Sequence, residues 1–404
     1  MMQTLTRERS LQTIGTSENA DAAEQLDVAL HVLLPGQEHV YFAGTDANGV
    51  HVVVGSGSNW TLAADVLHYY NEIADFEFGN DVVVVLTQEE NNANGNISGD
   101  IYFLGFEDGV SSNAPIQTGN DIIIVQGPRG TAVGDCLYID ILEGAPRSAA
   151  FFGGNDVLFD GFGSTELAGD VRTSLVFLSG QNQVIEFRYG HDRLFGGQES
   201  AGDVLSHIGF DESNGHGLFN TATYFFGNDF LASGVTMIGD AGNFSIYVEW
   251  LGNAQKAFFG HDTIVGGAVS ELLIGDTEFL DIRGGGIAVF GDDILISGSA
   301  DETLVGDGRF VDLWYDLVTG SATVIRGADT FIFSGNFGSD LIQDFDDGLD
   351  RVIFEGFDPA LLHLVGYEVD NDSGDMMVDL TELGGGTVTL AGVGEIAMSN
   401  FEFI

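Results

Sequence analysis

The chain has 404 residues, of which 62 are Asp or Glu and only 12 are Lys or Arg, giving a formal charge of -50. Such a surface repels nucleic acid and anionic lipid head groups, which excludes nucleic-acid partners and argues against membrane insertion. An apolar content of 44% is enough to build a core and excludes a disordered acidic tail.

Glycine is abundant (58 residues) and proline rare (5), with no G-X-Y period. That pattern excludes collagen and suits many tight turns between short strands. Cys136 is the single cysteine, so no intramolecular disulfide can form, and bound metal is the obvious alternative source of stability. No run of 18 apolar residues exists, and Met1 to Gly15 has no apolar core of a signal peptide.

In chain order, residues 1–75 form an N-terminal cap or small module. Val28 to Leu34, Val40 to Phe42 and Val50 to Val54 read as strands, separated by turns at Gly36, Gly44 and Gly49. Thr61 to Ile73 reads as a helix capped by Thr61 or Asn59.

Residues 76–345 carry a G-x-D-x-apolar signature eight times. Its aspartates are Asp81, Asp121, Asp156, Asp192, Asp229, Asp262, Asp293 and Asp329, spaced 31 to 40 residues apart. A fixed period of this size means a solenoid or an array. Each unit offers a glycine turn, one carboxylate and a short apolar strand such as Val82 to Leu86, Ile122 to Val125 or Ile294 to Ile296. This suits repeated cation sites better than one catalytic pocket. The alternative role for each aspartate is an Asx turn. Many units carry a second turn ending in Gly-Asp, at Asp170, Asp203, Asp240, Asp276 and Asp307. Phe78, Phe152, Phe226, Phe259 and Phe290 precede the signature and are expected to stack inside the coil. Residues 346–404 break the rhythm and read as a C-terminal cap, with strands around 376–381 and 386–390.

There is no H-E-x-x-H, no G-x-S-x-G elbow and no phosphate-binding G-x-x-x-x-G-K-[ST] loop. His207, Asp211 and His216 form the only local group with metal or acid-base character, and polar loop residues account for it. His191 and His261 are expected to face solvent, and Cys136 to be a small buried residue. No catalytic residue and no organic cofactor is expected.

The segment Gly298-Ser299-Ala300-Asp301-Glu302-Thr303-Leu304-Val305-Gly306-Asp307 resembles the haemolysin-type, or RTX, family of bacterial proteins, whose nonapeptide is G-G-x-G-x-D-x-U-x. So do Gly327 to Phe333 and Phe337 to Asp346, which are similar to the last coils of such proteins. Leu390 to Val393 and Phe401 to Ile404 resemble their C-terminal tail. In this register Glu302, Glu271 and Thr165 stand where a second ligand aspartate belongs. The resemblance covers residues 76–404.

It implies an all-β parallel β-roll or β-solenoid and calcium as the cofactor, held by the eight signature aspartates together with Asp340 and Asp344. It also implies export by type I secretion machinery to the cell exterior, where calcium drives folding. The expected role is a non-catalytic surface, matrix or self-assembling component. The alternative is a polysaccharide-binding or polysaccharide-modifying protein using Glu249-Trp250, Trp314 and Tyr315.

Overall fold

A computed structural model describes residues 27–33, 38–42, 49–55, 59–70, 78–87, 94–106, 116–126, 130–141, 148–161, 165–178, 183–211, 220–248, 254–314, 322–370, 372–394, 396 and 401–404. Their strands stack into four sheets, of 12, 13, 8 and 7 strands, here called sheets I to IV, parallel throughout except at one end of sheet II. The chain visits them in turn and then climbs one rung, so the fold is a β-solenoid, as the period implies.

One coil illustrates the rest. Val157–Asp160 lies in sheet I, Thr165–Ala168 in II, Val171–Leu178 in III and Val184–Arg188 in IV. Tyr189 to Asp192 then turns the chain into Arg193–Phe195, back in sheet I. Burial alternates along each strand, as a period of two demands. Leu158 points inward between Ile123 below and Leu194 above, and the column continues through Leu231, Ile264 and Leu295. Each leucine in this stack is at most 1% exposed, and burying one such side chain stabilises by about 1.5–3 kcal/mol.

The cross-section has two lobes. Inward residues of sheets I and II form one apolar core, and those of III and IV form another. The G-x-D turn joins IV to I and the Gly-Asp turn joins II to III. Both turns therefore lie at the waist, between the cores.

Residues 27–70 stack on the same sheets: Val50 pairs with Val82 and Leu62 with Ile97. Over the described part, 61–70, of the helix expected from Thr61 to Ile73 the chain instead forms strands Asn59–Ala63 and Val66–Tyr70. The apolar run looked helical because it crosses a corner at Ala64-Asp65, beyond which sheet III begins. At the other end, Gly366–Val369, Met376–Asp379 and Thr387–Leu390 make an antiparallel cap on sheet II. Among the described residues no helix is long and apolar enough to cross a membrane.

The aromatic ladder forms, with a shifted membership. Phe226, Phe259 and Phe290 stack inside, with centroids 4.8 and 5.3 Å apart, and Tyr189 joins below at 5.1 Å. Phe78 packs against the same core. Phe152 does not belong: it is in register with Arg188 and Phe225 on the outer face, and Gly153 takes its slot.

Candidate metal centre

Two ladders of aspartates run along the waist. In the first, each signature carboxylate accepts the backbone N–H of its counterpart one coil earlier. Asp81 N–H donates to Asp121 Oδ1 at 2.6 Å, Asp156 to Asp192 at 2.6 Å and Asp262 to Asp293 at 2.7 Å. In the second, each Gly-Asp carboxylate accepts the N–H of the signature glycine across the waist. Gly119 donates to Asp100 at 2.7 Å, Gly190 to Asp170 at 2.6 Å and Gly227 to Asp203 at 2.7 Å. The first ladder ties coil to coil; the second closes each coil on itself.

One oxygen of each carboxylate is thereby used. The other, in Asp100, Asp121, Asp135, Asp156, Asp170, Asp192, Asp203, Asp229, Asp240, Asp262, Asp276 and Asp293, is buried without a hydrogen-bond donor. All of these side chains are at most 3% exposed. The two ladders interdigitate, so that one oxygen each from Asp100, Asp121 and Asp135 lie within 4.8 Å of one another. The same holds for Asp65, Asp81 and Asp100; for Asp135, Asp156 and Asp170; for Asp170, Asp192 and Asp203; and for Asp203, Asp229 and Asp240. Neighbouring groups share a member, which makes the waist a continuous column.

Glycine is obligatory there. A Cβ on Gly134 would sit 1.7 Å from Asp156 Oδ2 and 2.0 Å from the Gly169 carbonyl, and one on Gly169 would sit 1.8 Å from both Asp192 Oδ2 and the Gly202 carbonyl. The carboxylates occupy the space that any other residue's side chain would need.

The electrostatics are severe. Burial raises the carboxyl pKa of Asp156, Asp170, Asp192 and Asp229 well above the ordinary value, and adjacent aspartates push the same way. Burial lifts Asp121 too, against the N–H of Asp81. Asp135 rises to about 6 and Asp203 to about 7, held down by hydrogen bonds. A buried unpaired carboxylate costs several kcal/mol, so the column must hold protons or cations. Its donor set is hard oxygen only, as calcium or magnesium prefers. Oxygens sharing one calcium at 2.3–2.6 Å can be at most about 5 Å apart, and the 4.8 Å limit of these groups meets that condition. Each group supplies three carboxylate oxygens toward the six to eight that calcium takes.

The other expected ligands are distributed differently. Asp262, Asp293 and Asp329 continue the first ladder, which ends where Asp329 N–H donates to Asp350 at 2.9 Å. Asp344 stands at the Gly-Asp place one rung on, accepting the N–H groups of Gly306 and Asp307. Asp340 lies elsewhere, in the strand Ser339–Ile342 of sheet II, and Glu302 in the turn between sheets I and II; both are within hydrogen-bond reach of the Ser297 hydroxyl, at 2.8 and 2.9 Å. Glu271 is in the same turn one coil earlier, accepting the N–H of Gly267. Neither glutamate stands beside a signature aspartate. Sequence reasoning missed Asp65, Asp100 and Asp135 altogether, and treated the other Gly-Asp aspartates as turn formers. Their signal was the Gly-Asp or Ala-Asp pair closing each strand of sheet II.

His191 and His261 face solvent, as expected, within an outer polar ladder: His191 Nδ1 accepts the N–H of Asn228 and His261 Nδ1 that of Asp292, both at 2.6 Å. His207 is fully buried between Tyr224 and Phe244, and burial lowers its pKa to about 3. It is a neutral core residue; His216 lies outside the described residues. Cys136 is fully buried, and burial raises its thiol pKa strongly.

Of the residues named for polysaccharide, Trp314 is exposed, and Glu249, Trp250 and Tyr315 lie outside the described residues. The nearby rings Phe177, Phe210 and Tyr247 stack face to face at 5.0 and 4.8 Å, covering the faces a sugar would need.

No family model and no curated protein sequence matches the chain. Among solved structures it is similar to the extracellular lipase LipA from Serratia marcescens at 15% identity and a TM-score of 0.17, over 81% of this chain and 45% of that one. The chain thus spans less than half of that protein's length, and so slight a likeness carries no argument about function.

Proposed function

We propose that this protein is a calcium-stabilised, RTX-like β-solenoid that acts outside the cell as a non-catalytic surface, matrix or self-assembling component. The observation that carries the reading is the column of buried aspartates that bring one carboxylate oxygen each together in groups of three. Asp65, Asp81, Asp100, Asp121, Asp135, Asp156, Asp170, Asp192, Asp203, Asp229 and Asp240 would hold the ions. Bound calcium supplies the positive charge that lets these carboxylates stay ionised between two apolar cores.

The chain's own part is to fix one oxygen of each carboxylate on a backbone N–H as the coils close, which holds the carboxylates in place around the ions. In a calcium-poor cytosol the column repels itself and the chain stays unfolded and fit for type I export. The tail resemblance at residues 390–404 supports that route. Outside, calcium fills the column and the coils close. A site hundredfold saturated adds about 2.7 kcal/mol, so a few sites decide whether the chain folds.

Equilibrium dialysis of the full chain against calcium tests this. The reading expects several ions per chain at millimolar calcium and fewer in Asp170→Asn. Binding of no calcium, or unchanged binding in that variant, would overturn it.

A further inference from the structure

The solenoid ends in a step. Among the described residues, sheets III and IV stop at Gly308–Trp314 and Thr323–Ile325. Sheet I runs on through Thr330–Ser334, Arg351–Glu355 and Phe401–Phe403, and sheet II through four further strands. The cap therefore closes only the core between I and II.

Among the described residues no strand covers the other core. Val311 and Leu313 are in register with Leu280 and Ile282, which are at most 1% exposed, yet they are themselves 37% and 45% exposed. Gly308–Trp314 is also an edge strand, bonded on one side only, and a long apolar edge of this kind is a template for association. The top of the cap is apolar too: Tyr367, on the outermost strand of sheet II, is 39% exposed, and Ile404, at the end of sheet I, is 63% exposed.

We infer that this stepped end is a docking surface for a second copy of the chain, the cap of each copy covering the open lobe of the other. A step is self-complementary under a two-fold rotation: the raised half of one copy fills the recess of the other, and the recess depth equals the rise by construction. The area agrees. With about 3.3 Å per residue, 4.8 Å per strand and 10 Å between sheets, each lobe end measures roughly 23 by 15 Å and the riser roughly 14 by 23 Å. Each copy would bury about 1,000 Å², against about 800 Å² per partner in a standard stable interface.

This deepens the structural reading proposed above, but its test is separate. Sedimentation equilibrium is run on the full chain in calcium and physiological salt, with Leu313→Glu on the recess and Tyr367→Glu on the cap. Both positions are exposed, and circular dichroism verifies that the variants fold. Wild type is expected to be a dimer and each variant alone to lose at least tenfold in affinity. An equimolar mixture of the two variants regains dimer, because one of the two contacts is then wild type on both sides. A wild-type monomer, a dimer indifferent to both substitutions, or a mixture that fails to recover overturns the inference. A folded, calcium-loaded monomer would sink the dimer while leaving the cation column standing.

Discussion

Asp170→Asn separates a cation column from a set of turn-forming aspartates, because the two accounts give opposite signs in chelator. Asp170 belongs to two of the oxygen groups, with Asp135 and Asp156 on one side and Asp192 and Asp203 on the other. The Asn oxygen can still accept the Gly190 N–H, so the turn is kept. In calcium both adjoining sites lose a carboxylate; at about 2.7 kcal/mol per hundredfold-saturated site, the loss approaches roughly 5 kcal/mol. In chelator the sign reverses. Two like charges 4.8 Å apart repel by about 3.5 kcal/mol at an effective dielectric of 20, so removing one charge relieves strain up to that order. Asp156→Asn is the internal control: it touches one group only and should lose about half as much in calcium. Urea unfolding followed by circular dichroism reads the loss in calcium; in chelator, where the chain is unfolded, the concentration of a stabilising osmolyte needed to fold each protein reads the relief. If Asp170→Asn is equally destabilising in both conditions, the aspartates are turn residues and the reasoning fails.

Three further outcomes follow from the geometry. Gly169→Ala places a methyl 1.8 Å from Asp192 Oδ2 and the Gly202 carbonyl, whereas at Gly161 the nearest atom would be 3.6 Å away. The first should cost more than about 4 kcal/mol and the second under about 1, read by thermal unfolding. Leu231→Ala, inside the sheet I column, should cost about 3 kcal/mol without changing calcium stoichiometry; a change in stoichiometry would mean that core and column are not separate. Glu271 gives a pH test: burial, aided by Glu302 and opposed by the Gly267 N–H, raises it from 4.5 to about 7. A folded pKa above the unfolded one means its contribution is full below about 4.5 and lost as pH rises through about 7. Glu271→Gln should therefore be the more stable protein at pH 8 and no better at pH 4, in urea titrations at each pH.

The period of the signature was enough to read a solenoid, since a glycine turn followed by a short apolar strand every 31 to 40 residues has few other solutions. Strands such as Val82–Thr87 and Ile122–Gln126 were legible from apolar runs. Half of the site was not. The Gly-Asp aspartate meets the signature glycine from 14 to 24 residues away, because the stretch through sheets III and IV varies in length, and a varying offset hides a constant contact. Glu271 and Glu302 kept the nine-residue spacing, but in a four-sided coil nine residues reach the next corner rather than the waist. At Ala64-Asp65 a corner within an apolar run imitated helical periodicity. Phe152 misled for a simpler reason: in a strand, a shift of one residue changes the face.

The most direct measurement is circular dichroism of the metal-free full chain at neutral pH, titrated with calcium and, separately, with magnesium. The account predicts an unordered spectrum in chelator and a cooperative gain of β-structure as calcium approaches the millimolar range, with magnesium ineffective. A spectrum already β-rich in chelator and unchanged by calcium would contradict it: packing alone would then hold the coils, and the buried aspartates would carry protons.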